Sequence, residues 1–348
     1  MDISKLMFKF LQRMEGGIFE KLGQIQSNEI NLEQNITYEP SYKILPKILF
    51  DGNIESLKIE EKPVYKGTIG TIYSGYYNNK KILLKVVTHN TKQNVKRDLN
   101  SINFFGKIVS LILPHVSLMT TEICDKFVCE TNIDREKQMC NLIHKKNYDS
   151  SSPMKKNIEF LIPVIELSHI NGIFAYYYKE GVPIYNNIEL KEDIGKRIAL
   201  CFFKYIYESQ IIFGDMNPGN ILYDQKSDII SFIDYGCVFE LNSNQIENIK
   251  CLHKAQRTKD SLWNYLKNWD APRILSDTIY YKSRIFYEEK ETKHNSTTFL
   301  DILNYTNIAN TKLPNELIVT IRATYQLIEL KQLLGLSFVI SEYFEYIL

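Results

Sequence analysis

The chain has 348 residues, 44% of them hydrophobic and 24% charged, with 42 basic side chains against 41 acidic. That lies well inside the globular range and allows one bilobal domain or two domains. The near-even charge balance, without a long single-sign block, carries no signature of a nucleic-acid or anionic-membrane partner. Cys124, Cys129, Cys140, Cys201, Cys237 and Cys251 are scattered without a CxxC pair, which fits a reducing compartment better than a disulfide framework or a zinc site. The most apolar segment, LIVTIRATYQLIELKQLLGLSFVI, is interrupted by Arg322, Glu329 and Lys331 and is not a membrane span, so a soluble intracellular protein is expected.

At the start of the chain, Ile3, Leu6, Phe10, Leu11, Met14 and Ile18 recur at helical spacing among Lys5, Lys9 and Arg13. This predicts an amphipathic helix that packs on the body of the protein or touches a membrane surface peripherally. VYKGTIGTIYSGYY, the turn NNKK and ILLKVV then read as a β-hairpin, with Lys85 inside its second strand between Leu84 and Val86. A lysine there belongs on an edge or on a face looking into a cleft. NIDREKQMCNLIHKK is expected to be a helix, SSSPMKKN a polar loop, and LIPVIEL and GIFAYYY two further strands. IGKRIALCFFKYIYESQ reads as an apolar helix, and residues 243 to 348 as mostly helical with a polar break at EEKETKHNSTT.

The chemistry concentrates in FGDMNPGNIL and SFIDYG. NILYDQKSDIISFID is itself a hairpin, with a turn at residues 224 to 227, and a hairpin returns its ends to one place. Asn220 and Asp234 at those ends would present a carbonyl oxygen and a carboxylate side by side, a donor set suited to Mg²⁺. Asp215 lies on the loop just before. This is the phosphoryl-transfer layout of kinases: a catalytic-loop Asp takes the hydroxyl proton, an Asn and a DFG-type Asp hold the metal. The upstream hairpin supplies the nucleotide side. Lys66, Gly67, Thr68 and Gly70 would cover the phosphates of ATP, and Lys85 would pair with them. A helix carboxylate should orient that lysine, Glu136 first and Glu130 second. The tyrosine run 176 to 178 reads as strand and core beside the nucleotide pocket, with Tyr177 the candidate contact. Plainer readings exist for each: turn caps for Asp215 and Asp234, an Asx-turn for Asn220, hairpin geometry for the glycines.

The ordered set resembles the UbiB/ADCK family of atypical kinase-like proteins. Lys21-Leu22-Gly23-Gln24 matches the family's KxGQ signature, and PVYKGTIGTIY is similar to its alanine-rich nucleotide loop. ETNIDRE resembles its ExD helix, FGDMNPGNIL and FIDYG its HxDxHPGN and DFG stretches, and LPNELIVTIRATYQLIE its C-terminal helices. Departures are Tyr65-Lys66-Gly67 in place of three alanines, Asn132 for the Asp of ExD, and Phe213 and Asn217 for histidines.

The resemblance implies an α+β, bilobal, protein-kinase-like fold. Residues 1–62 would form a helical extension, 63–184 a small β-rich lobe and 185–348 a mainly helical lobe. It implies an ATP- and Mg²⁺-dependent kinase or ATPase of quinone or isoprenoid lipid metabolism, whose partners are a nucleotide and a lipid or quinone-like small molecule. Lys21 and Gln24 would be regulatory, lying across the place where a protein substrate would dock. No Ala-Pro-Glu follows the DYG triplet, Ala271-Pro272 being followed by Arg273. Two other readings stay open: a Ser/Thr protein kinase, which Gly67 favours, and a nucleotide-binding pseudokinase that switches a partner.

Overall fold

The computed structural model of the chain describes residues 45, 49, 56–66, 70–87, 89–110, 128, 131–149, 157–186, 192–287 and 313–333. The chain divides into two compact units: Met1–Phe105 with Cys124–Asn141 and Leu161–Tyr178, and Gly106–Ile123 with Leu142–Phe160 and Lys179–Leu348.

In the first unit the β-branched and aromatic stretch after Ser56 forms an antiparallel meander. Strands β1 (Leu57–Lys66), β2 (Thr71–Tyr77) and β3 (Lys80–Val86) lie in order, and β5 (Ile173–Tyr177) joins beyond β3. Asn78 and Asn79 make the β2–β3 turn, both with positive φ (50° and 62°), the conformation a tight hairpin needs and asparagine tolerates. Period-two alternation sorts the sheet. Tyr73, Ile82, Leu84, Val86, Ile173 and Ala175 point into one buried cluster. Lys85 and its cross-strand neighbours Ile72 and Phe174 take the other face. At Gly75 a Cβ would come within 2.4 Å of the Lys58 carbonyl oxygen, so only glycine lets β1 lie this close to β2. Helices α1 (His89–Ser110) and α2 (Ile133–Asp149) follow in sequence.

LIPVIEL is not a strand. Leu161, Val164 and Leu167 are buried while Ile162 and Ile165 are exposed, a spacing of three that fits no sheet face. Pro163 makes an isolated bridge to Tyr176, and Ile165–Leu167 winds into a 3₁₀ turn. The strand lies just upstream instead, as β4 (Ile158–Phe160).

The second unit carries two small sheets and most of the helices. β4, β6 (Val182–Pro183), β8 (Ile221–Asp224) and β9 (Ile229–Phe232) pair in the order β4-β9-β8-β6, while β7 (Ile211–Phe213) pairs with β10 (Val238–Glu240). β8 and β9 are the expected hairpin. Its turn ends at Asp228 (φ 55°), whose carboxylate accepts hydrogen bonds from Asn157, Arg197 and Tyr223. Phe160, Phe213 and Phe232 form the aromatic centre, with ring centroids 5.4 to 6.0 Å apart. The helices are α3 (Glu192–Tyr207), α4 (Ser243–Ala255), α5 (Lys259–Leu266), α6 (Arg273–Tyr287) and α7 (Asn315–Leu333). Asn242 and Gln245 close a reciprocal capping box on α4, and Thr258 caps α5. Among the described residues no helix is long and apolar enough to cross a membrane.

Candidate active site

Lys85 reaches its partner because two local rules coincide. Strand alternation turns it away from the core that holds Leu84 and Val86. Asn132 caps α2, its side chain accepting from the Arg135 N–H at 3.1 Å, which puts Glu136 in the first turns. Lys85 Nζ then donates to both carboxylate oxygens of Glu136, at 3.0 and 2.8 Å, with the side chains 18% and 2% exposed. Glu136 is thus a buried carboxylate held by a charged donor. The next residue, Lys137, donates to the carbonyls of Ser168 and Ile170 at 3.1 and 2.7 Å, and burial lowers its pKa. That fixes the helix carrying Glu136 against the chain entering β5.

Gly70 sits at the entrance to β2, where a Cβ would lie 3.3 Å from the Val86 carbonyl oxygen, so sheet packing is one reason for glycine there. Lys66 ends β1 and pairs in register with Thr71. Tyr177 is not brought to Lys85. It pairs with Ile82 and packs against the core on the opposite face, and burial with Glu166 nearby raises its phenol pKa. The aromatic residue beside Lys85 on its own face is Phe174. Gly67, Thr68, Glu130, Lys21 and Gln24 lie outside the described residues.

In the second unit the loop after β7 follows from its proline and asparagines. Pro218 opens a 3₁₀ turn, Pro218–Asn220, and the Asn217 side chain accepts from the Gly219 N–H at 2.8 Å. The register Ile221 to Phe232 then sets Asn220 and Asp234 at the open end of the β8–β9 hairpin, where the Ile233 N–H donates to the Asn220 carbonyl at 3.0 Å. Asp234 Oδ1 accepts from the Gly236 N–H at 2.7 Å, the local bond that makes the acid-x-glycine turn. Tyr235 between them is fully buried, its hydroxyl donating to the Phe232 carbonyl and its ring 6.4 Å from that of Phe213. Gly214 N–H donates to the Cys237 carbonyl at 2.7 Å, tying the Asp215 loop to the strand after the triplet.

The sequence reading missed two residues on α7. Gln326 donates to Asp215 Oδ1 at 2.6 Å and accepts from the Met216 N–H at 2.7 Å. Arg322 Nε donates to the Gly214 carbonyl at 3.0 Å. Both stand more than a hundred positions from the loop they hold; the stretch LPNELIVTIRATYQLIE that contains them resembles the family's C-terminal helices, but nothing in it ties either side chain to that loop.

Among the described residues no three His, Cys, Asp or Glu side chains gather into a metal site. One carboxylate with an amide oxygen still suits Mg²⁺, which keeps waters and takes substrate phosphate oxygens. Asn220 and Asp234 fit that donor set.

The mixed architecture, with its meander lysine, helix glutamate and Asp/Asn/Asp loop, is kinase-like. A model of the ABC1 atypical kinase-like domain matches residues 53–262, more than half of the chain, and the chain belongs to this family of UbiB-type atypical kinases. A solved protein from Mycobacterium tuberculosis, in complex with erythromycin, is similar over 99% of this chain and 95% of its own, with a TM-score of 0.64 at 14% identity. Such a likeness speaks to fold. A search of curated proteins finds no match.

Proposed function

We propose that the chain is an ATP- and Mg²⁺-dependent atypical kinase or ATPase acting on a lipid or quinone-like acceptor. The observation that carries this reading is the bidentate Lys85–Glu136 pair, the arrangement that positions a strand lysine for nucleotide phosphates in kinases. MgATP would supply the transferable phosphoryl group and the charge neutralisation. Lys85 would bind its phosphates under Lys66, Gly67, Thr68 and Gly70, with Glu136 orienting the lysine. Asn220 and Asp234 would hold the metal, and Asp215 would receive the proton of the attacking water or hydroxyl. Tyr177 is left to the core. Lys21 and Gln24 are the proposed restraint on protein substrates, within an extension of residues 1–62 ahead of lobes 63–184 and 185–348. Peripheral membrane contact through the N-terminal helix and residence in a reducing compartment belong to the same reading.

The acceptor is tested by incubating purified protein with γ-labelled ATP and Mg²⁺ alone, with vesicles carrying a polyprenyl quinone, and with a generic Ser/Thr protein. Label in phosphate or lipid, stimulated by the vesicles, is the expected result. Label on Ser or Thr of the added protein would make the chain a protein kinase, and nucleotide binding without label in any arm would make it a pseudokinase.

A further inference from the structure

Helix α7 grips the Asp215 loop at three consecutive residues. Arg322 and Gln326 are four positions apart, hence on one helix face. Arg322 takes the Gly214 carbonyl, while Gln326 takes the Asp215 carboxylate and the Met216 N–H. The orientation of the amide is dictated by its partners. A backbone N–H only donates, so Oε1 must face Met216, leaving the NH₂ group for the acceptor-only carboxylate. Both ends of one amide are therefore spent on one dipeptide, fixing the backbone of the loop and the rotation of the Asp215 side chain together. The helix making the grip is itself anchored: Leu317, Ile321, Ala323 and Leu327 are buried, and Glu316 accepts from Asn248 of α4 at 2.8 Å. Arg322 and Gln326 lie beyond residues 53–262 that define the family match.

We infer that Gln326 is a positioning residue for the phosphoryl-transfer step, aiming the Asp215 carboxylate at the hydroxyl whose proton it accepts; this rests on the catalytic reading of Asp215. A group that only stabilised the fold would alter turnover through the amount of active protein. A group that aims the base alters kcat with substrate binding intact.

The test compares wild type with Gln326→Met, Gln326→Glu, Asp215→Asn and Gln332→Met, the last making the same change at an exposed position on the same helix. Amide hydrogen exchange of the 213–220 segment and steady-state MgATP turnover are read on each. Gln326→Met should raise exchange at Met216 and lower kcat about 10- to 100-fold, with KM within about twofold of wild type. Gln326→Glu should keep the Met216 protection, because an acceptor oxygen remains, yet lose kcat at least as far, because it sets a second carboxylate against Asp215. Gln332→Met should match wild type in both readouts. Unchanged exchange in Gln326→Met overturns the grip whatever the activity, and loosened exchange with wild-type kcat overturns the positioning role. Wild-type turnover that Asp215→Asn fully retains overturns the catalytic reading and the inference with it, a result told apart by its appearance in the Asp215 variant.

Discussion

A carboxylate as enclosed as that of Glu136 needs a charged partner, and Lys85 supplies one on both oxygens. The asymmetry of buried pairs makes this testable at the residue scale. Lys85→Met leaves the carboxylate without its cation and is expected to destabilise the protein by about 3–5 kcal/mol. Adding Glu136→Leu should recover most of that loss, since it removes the uncompensated buried charge. Denaturant unfolding of the two single variants and the double variant measures it. Additive losses would mean the two side chains do not depend on each other, and the pair could then not serve as the lysine-orienting device. Glu136 was legible from the sequence as a carboxylate on a helix after the lysine strand. Tyr177 was legible as strand but not as to face. Which side of a sheet a residue takes depends on register, and the pairing of Lys85 with Phe174 sends Tyr177 to the other side.

Elements read well where one period dominated. The β8–β9 hairpin showed in two apolar runs around a polar turn, and with it the placing of Asn220 and Asp234 at the hairpin's open end, because register brings hairpin ends together. LIPVIEL failed because a short apolar run mimics a strand, while Pro163 cannot donate to a ladder and the buried aliphatics Leu161, Val164 and Leu167 recur every third residue. The hold of α7 on the Asp215 loop was not legible at all: its periodicity announces a helix and says nothing of what Gln326 touches. A prediction at this scale concerns α3 and α4. His253 of α4 is fully enclosed, its ring edge-on to Phe203, its Nδ1 sharing a hydrogen bond with the Tyr207 hydroxyl. Burial pushes its pKa down from 6.5 to about 3. The folded state therefore favours the neutral ring, while the unfolded chain takes up a proton below about pH 6.5. The stabilisation is fully present above that pH and is lost as pH falls toward about 3, by at most about 1.4 kcal/mol per pH unit. Between pH 7 and pH 4.5 wild type should lose about 2–3 kcal/mol more than His253→Asn in chemical unfolding. Equal losses would show that His253 does not drive the acid sensitivity.

For the whole molecule, each compact unit carries its own part of the proposed machinery: the lysine–glutamate pair in the first, the Asp215 loop and the Asn220–Asp234 hairpin end in the second. The family was legible because those short motifs recur in a fixed order along the chain, which a single motif could not have established. The acceptor was not, since nothing in the motif order specifies it, and the KxGQ segment lies outside the described residues. The proposed chemistry rests on one division of labour, in which Asp215 would act on the proton and Asp234 on the metal. The most direct measurement is Mg²⁺-dependent ATP binding and phosphate release by wild type, Asp215→Asn and Asp234→Asn side by side. Asp215→Asn should bind MgATP within about threefold of wild type and lose turnover about 100-fold or more, while Asp234→Asn should lose the Mg²⁺ dependence of binding as well. An Asp215→Asn protein that releases phosphate at the wild-type rate would contradict the account.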